Sequence, residues 1–108
     1  IEIPRLRNKA DRDLTSWHLY TIQIDFEKAG MTRVELLKQL KQCQIIPQVL
    51  YIPVHLQPWY RQNYKYSPGK CPNAEEYYLK ALSLPLYPTM SDKDITHVIE
   101  TMLAVLPE

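Results

Sequence analysis

Few residues of this 108-residue chain could do chemistry, and the densest group of them lies in "YIPVHLQPWY", residues 51 to 60. There His55 sits between Pro53 and Pro58, with Tyr51, Trp59 and Tyr60 close by in sequence. Each proline fixes its own φ and restricts the residue before it, so the segment is stiff. A rigid, largely apolar wall with a few polar heads is the usual make-up of a ligand site. An imidazole suits such a wall because it can donate or accept a hydrogen bond near neutral pH. His55 therefore has two readings. It is a substrate-facing group, or it is a loop histidine that packs on Trp59 or bonds a nearby carbonyl.

The other reactive residue types carry less. His18, His55 and His97 are scattered without HxxxH spacing, and Cys43 and Cys71 form no CxxC, so no metal site is expected. Nothing reads as a secretory leader, so the two thiols are expected to be free and the protein cytoplasmic. Glu75 and Glu76 are adjacent, diverge on a helix, and read as a solvated face rather than an acid–base pair. With only Gly30 and Gly69, no glycine-rich phosphate cradle can form. There is no GxSxG nucleophile elbow. The chain by itself is expected to hold no catalytic residues.

Composition bounds the rest. Apolar residues at 45% and charged residues at 23% are ordinary for a globular domain, and the length fits one domain over residues 1–108. A net charge of +1 gives no electrostatic case for nucleic acid or a membrane surface. No apolar run approaches the roughly 20 residues that span a bilayer. The chain opens at Ile1 with the strand-like "IEIPRLR", and it reads as a piece of something longer.

The elements that must position the 51–60 segment follow from periodicity. "SWHLYTIQI", residues 16 to 24, is rich in aromatic and β-branched residues and predicts a strand. Both of its faces start apolar, which predicts packing on each side. Gly30 marks a bend. "TRVE", 32 to 35, is a capping box that opens a helix to about Cys43, with Val34, Leu37 and Leu40 as its buried stripe. "IIPQVLY", 45 to 51, predicts a second strand weakened by Pro47. The irregular stretch 52–71 is long for a compact domain and contains a short helical turn around "LQPWYRQ". Pro72 starts a helix whose Ala74, Tyr77, Tyr78, Ala81 and Leu82 share a face. "SLPLYP" is a short extended piece. Ser91 caps a last helix with Ile95, Val98, Ile99, Met102, Leu103 and Leu106 inward, ended by Pro107. The order predicts an α+β fold, a small, mostly antiparallel sheet with helices packed on it.

Several phrases together resemble one family. "WHLYTIQI", "IPVHLQPWY" and "CPNAEEYYLKALSLPLYPTMSDKDITHVI" are similar to the C-terminal small domain of the DegT/DnrJ/EryC1/StrS aminotransferases, over about Ile3 to Leu103. Within it, "HLQPWY" and "CPNAE" look closest to the branch that makes 4-amino-4,6-dideoxy sugars on the way to pseudaminic-acid-type nonulosonates. The resemblance implies the small domain of a fold-type-I enzyme that uses pyridoxal phosphate (PLP) to aminate a keto-sugar nucleotide. Glutamate would be the amino donor, and the enzyme a homodimer. It implies that the cofactor and its Schiff-base lysine belong to a large N-terminal domain absent from these residues. It places His55 at the substrate, with Tyr51 and Gln57 beside it. His18 matches the family's "HLY" histidine, which a buried structural role near the domain junction explains equally well.

One position departs from the pattern. The family often reads "VHYxPVH", whereas this chain has Leu50 in "VLYIPVH", and leucine cannot donate to a phosphate or a sugar hydroxyl. Two other readings stand beside the leading one. The parent could be a lysine-less dehydratase or regulatory homologue. The chain could instead be a stand-alone protein-interaction module using its aromatic loop. Cut from a partner domain, it is expected to self-associate through that loop or through "IEIPRLR".

Overall fold

The computed structural model describes residues 1–6, 8 and 14–106. Its centre is a two-stranded antiparallel ladder. Strand β1 spans Tyr20–Gln23 and pairs with β2, Ala81–Leu84, in the register Tyr20 to Leu84 and Gln23 to Ala81. Single bridges extend it on both sides. Glu2 exchanges both backbone bonds with Gln23, and Gln48 does the same with Ser83. Four segments thus lie side by side in the order Glu2, β1, β2, Gln48.

The two outer segments stay short for a chemical reason. Pro4 and Pro47 offer no N–H to a ladder. The strand expected over 45–51 is therefore one bridge at Gln48. The central strand expected over 16–24 is only Tyr20–Gln23, because its partner β2 meets Pro85 directly after the Tyr20–Leu84 pair. The opening "IEI" contributes the bridge at Glu2, while Arg7 of that phrase lies outside the described residues.

Helix α1, Arg33–Gln42, starts on the predicted capping box. The Thr32 hydroxyl accepts from the Glu35 N–H, and the Glu35 carboxylate accepts from the Thr32 N–H at 2.7 Å. Gly30 makes the preceding bend at φ +61°, where a Cβ would be strained. The buried residues of α1 are Leu36 and Leu40, with Leu37 at their flank. Val34 is a correction: it is 58% exposed. It lies two residues from Leu36, about 200° around the helix, and so faces the opposite side.

Helix α4, Asp92–Val105, repeats the device with Ser91 and Asp94. Its buried side is Val98 and Met102, continued by Leu106 after the helix. Ile95, Ile99 and Leu103 are exposed, so the sequence stripe is wider than the side that is used. Ile95 and Ile99 line an open apolar cleft with Tyr20, Leu86 and Tyr87. Pro107, expected to end this helix, lies outside the described residues.

Helices α1 and α4 cover one face of the ladder. Ile22, Ile24, Leu36, Leu40, Ile45 and Leu82 make the heart of the core beneath them. The other face stays open at its start, where Trp17 and Leu19 are exposed, in contrast to the two-sided packing expected. His97 Nε2 on α4 lies 2.9 Å from the Cys43 carbonyl and ties α4 to the end of α1. Thr32→Ala and Ser91→Ala should each lower stability by about 1 kcal/mol, the usual worth of an N-cap side chain. A thermal melt checks this, and Thr32→Ser should restore the first loss.

Helix α2, Pro58–Tyr64, is the turn expected around "LQPWYRQ", and helix α3 spans Pro72–Lys80 with Pro72 in its first turn, as expected. Helix α3 ends where Ala81 turns to extended backbone and enters β2. Ala81 and Leu82 are buried as strand residues rather than as part of a helical stripe, while Ala74 and Tyr77 are exposed. Arg33 crosses from α1 and donates from Nη1 to the Tyr78 carbonyl at 2.7 Å, with its guanidinium 5.0 Å above the Tyr78 ring. One residue thus satisfies a carbonyl near the end of α3 and fixes that helix against the core.

Candidate functional site

The 51–60 segment leaves the sheet after Gln48 and builds two short helical turns. Val54–Leu56 is a single 3-10 turn in which the Leu56 N–H donates to the Pro53 carbonyl at 2.8 Å. The Gln57 N–H donates to the Val54 carbonyl at 3.1 Å. Pro58 then occupies the first turn of α2, where its missing N–H costs nothing. The prolines thus do what their φ restriction dictates: one leads into the turn and the other starts the helix.

Within this frame the three candidate residues part company. Tyr51 is 92% exposed. It stands on the rim of an open, mostly apolar cleft of about 370 Å³, which Leu50, Pro53, Ala74, Tyr77 and Tyr78 also line. Gln57 is half-buried at the N-cap of α2, and its side-chain amide points back to the Ile52 carbonyl at 3.4 Å. His55 is buried, 8% exposed, beneath the same turn. Its Nε2 lies 2.8 Å from the Glu75 carboxylate of α3. Of its two sequence readings, the bonded loop histidine describes its present contacts, with a carboxylate as partner rather than a carbonyl or Trp59.

Glu75 is the residue that sequence reasoning misplaced. It was expected on a solvated face, yet its side chain is 19% exposed and gathers donors from three directions. The Gly69 N–H lies 2.9 Å from both carboxylate oxygens, the Cys71 N–H donates at 3.3 Å, and His55 bonds from below. The Gly69 N–H bonds, then the His55 bond, hold the Glu75 carboxyl below the usual 4.5. With Glu75 ionised, His55 Nε2 carries the hydrogen and donates. Neighbouring Glu76 does face solvent and pairs with Lys80 at 2.7 Å.

A depressed carboxyl has a signed consequence. The unfolded chain takes up its proton at higher pH than the folded one. The stabilisation from Glu75 is therefore complete above about 4.5 and drains away as the pH falls through the folded value. Asp25, Glu35 and Asp94 are shifted in the same direction by their own backbone and side-chain bonds. The melting temperature should drop steadily from pH 5 toward pH 3. Glu75→Gln should make that drop shallower without abolishing it, as melts across that range will show.

Trp59, Tyr60, Tyr64 and Tyr66 form one aromatic cluster on and after α2. Trp59 meets Tyr60 edge-on at 5.0 Å, Tyr64 stacks with Tyr66 at 5.5 Å, and Lys70 sits 5.5 Å above the Tyr66 ring. His18, for which a buried structural role was one reading, is exposed beside Leu19 and Gln48. Cys43 and Cys71 are free, and no metal-binding cluster of His, Cys, Asp or Glu occurs among the described residues. Among them, too, no helix is long and apolar enough to cross a membrane.

The cleft beside Tyr51, the clasped histidine beneath it and the α+β frame can be set against known proteins. The sequence profile of the DegT/DnrJ/EryC1/StrS aminotransferase family matches residues 2–103. The chain belongs to this family. It is 48% identical over 88 residues to the spore coat polysaccharide biosynthesis protein SpsC of Bacillus subtilis, a stretch that is 81% of this chain and 23% of SpsC. Among solved structures it is similar to Helicobacter pylori PseC, an aminotransferase of pseudoaminic acid biosynthesis, with a TM-score of 0.72 and 25% identity. That likeness covers 82% of this chain and 23% of PseC. A Streptococcus pneumoniae protein assigned as a sugar aminotransferase, solved in its PMP-form, superposes with a TM-score of 0.67 at 25% identity. It is covered over 22% of its length by 82% of this chain. The chain thus spans about a quarter of the length of its relatives in the aminotransferase family.

Proposed function

We propose that residues 1–108 are the C-terminal small domain of a PLP-dependent aminotransferase that moves an amino group from glutamate to a keto-sugar nucleotide. In this reading the chain walls the substrate side of the active site. Tyr51 meets the sugar nucleotide directly, Gln57 shapes the start of α2, and His55 underlies the turn that carries both. The observation that carries the reading is the open cleft at Tyr51. It is a concave, mostly apolar wall without catalytic groups of its own, in a chain that matches only about a quarter of its relatives.

When bound, the cofactor supplies the electron sink for amino-group transfer. The described residues do not fit a site for it. Lys80 is engaged with Glu76, and the other described lysines are exposed. The two glycines lie apart on separate turns and make no phosphate cradle. In this reading the cofactor and its lysine belong to the remainder of the protein. This chain contributes shape, water exclusion and orientation. The relatives' roles in polysaccharide and pseudoaminic acid biosynthesis favour a sugar substrate. The 4-amino-4,6-dideoxy sugar product, the homodimer and the cytoplasmic setting belong to this reading through the family resemblance of the sequence.

The test is an assay of the intact protein with PLP, glutamate and a panel of keto-sugar nucleotides. Formation of 2-oxoglutarate together with an aminated sugar nucleotide is the expected result. Loss of water from the sugar without gain of nitrogen would move the assignment to a dehydratase. No turnover across the panel would count against the reading.

A further inference from the structure

We propose that Glu75 is a positioning residue: acting through His55, it holds the 52–57 turn in the pose that the sugar-nucleotide wall requires. This rests on the substrate-side reading above.

The geometry is that of a staple. The excursion from Ile52 to Cys71 contains only one 3-10 turn and the seven-residue α2, none of whose side chains is fully buried. Hydrophobic burial therefore does little to hold the excursion in place. Its beginning and its end meet instead at one carboxylate. His55 arrives from the start of the excursion at 2.8 Å, and the Gly69 and Cys71 N–H groups arrive from its end at 2.9 and 3.3 Å. Closing a long loop at its base removes most of the freedom of what lies between.

Every partner of this carboxylate is a donor, and charge-assisted bonds of this kind are about twice as strong as neutral ones. The burial of His55 adds a penalty for losing them. Without Glu75 the Nε2 hydrogen would be left unpaired in a buried place, or the ring would have to swing out and take the turn with it. The backbone on either side of His55 carries Tyr51 at the cleft and Gln57 at the cap of α2. A shift of the ring is thereby a shift of the wall. Glu75 does not itself line the cleft; its neighbours Ala74, Tyr77 and Tyr78 on α3 do, and its bond to His55 is what links it to the turn on the Tyr51 side.

Hydrogen exchange of the intact protein, read by mass spectrometry on peptides covering 52–57 and 67–71, tests this. Glu75→Ala should speed exchange in both peptides by roughly ten- to a hundredfold, the range that losing one or two charge-assisted bonds implies. The decisive peptide is 52–57, because its Leu56 and Gln57 amides bond to Pro53 and Val54 and do not touch Glu75. Glu75→Gln, which keeps one acceptor oxygen, should show the same pattern at smaller size. Glu76→Gln should leave both peptides as in the wild type. If Glu75→Ala loosens the β1–β2 ladder as well, Glu75→Gln gives the answer. Acceleration confined to 67–71 in Glu75→Gln would reduce Glu75 to a local cap and overturn the proposal.

A kinetic arm separates this from the functional reading. A wild-type enzyme that aminates a keto-sugar nucleotide, with Glu75→Gln raising its KM severalfold at nearly unchanged kcat, is the expected result. An unchanged KM in an active enzyme overturns the positioning role. A wild type that turns over no keto-sugar nucleotide overturns the functional reading instead, whatever the exchange data show.

Discussion

Leu82→Ala is expected to lower the melting temperature of this domain by roughly 10 to 30 °C. Leu82 is fully buried in β2 between the cover of α1 and α4 and the partner strand β1. Removing its branched end takes away the transfer free energy of the lost carbons and leaves a cavity, together about 2–5 kcal/mol. A domain of this size has total stability of about 5–15 kcal/mol. Each kcal/mol moves its melting temperature by roughly 4–8 °C. A thermal melt reads the effect directly. Val34→Ala is the control, because Val34 is 58% exposed and should stay within about 0.5 kcal/mol of the wild type. Equal losses in the two variants would mean that α1 is turned differently from the arrangement described here.

Tyr51→Ala should act on binding and leave the fold alone. With 92% of Tyr51 exposed, its loss removes almost no packing, so the melting temperature should hold within a degree or two. Under the proposed function, the KM of the intact protein for the sugar nucleotide should rise roughly ten- to a hundredfold, the cost of losing a well-used aromatic contact. The KM for the amino donor and kcat should change far less, since uniform binding is what such a wall supplies. Tyr51→Phe divides the loss between the ring and the hydroxyl. A KM unchanged in Tyr51→Ala would remove Tyr51 from the substrate wall.

Much of the frame was legible because short-range chemistry dictates it. Thr32 with Glu35 and Ser91 with Asp94 start their helices through local bonds that need no tertiary partner, and Pro58 and Pro72 begin theirs because proline fits there. The outer strands were over-read for the opposite reason. An apolar, β-branched run shows what could pair, and Pro4 and Pro47 limit what does. The exposed Ile95, Ile99 and Leu103 show a similar limit, since periodicity finds an apolar arc and the packing of α1 and the ladder decides how much of it is covered.

The site was legible in part. The prolines around His55 made the segment's stiffness readable, as its 3-10 turn and the start of α2 show, and Tyr51 lies on an open cleft. What could not be read was the bond between His55 and Glu75, which joins residues 20 positions apart. Two adjacent glutamates on a helix look alike in sequence. Only the return of the chain past Gly69 makes one of them a hub and leaves the other in solvent with Lys80. Tyr77 and Tyr78 were seen as one helical face, but that face borders the cleft instead of filling the core. Leu50, at a position where the family often has histidine, makes the cleft more apolar beside Tyr51.

The most direct measurement of whether this chain walls a sugar-nucleotide site is photo-crosslinking of the intact protein with a nucleotide-sugar analogue that carries a photoreactive group on the sugar, followed by peptide mapping. The account predicts labelling within residues 50–57, lost on competition with unmodified nucleotide sugar and weakened in Tyr51→Ala. Labelling that competes normally but falls only outside residues 1–108 would contradict it.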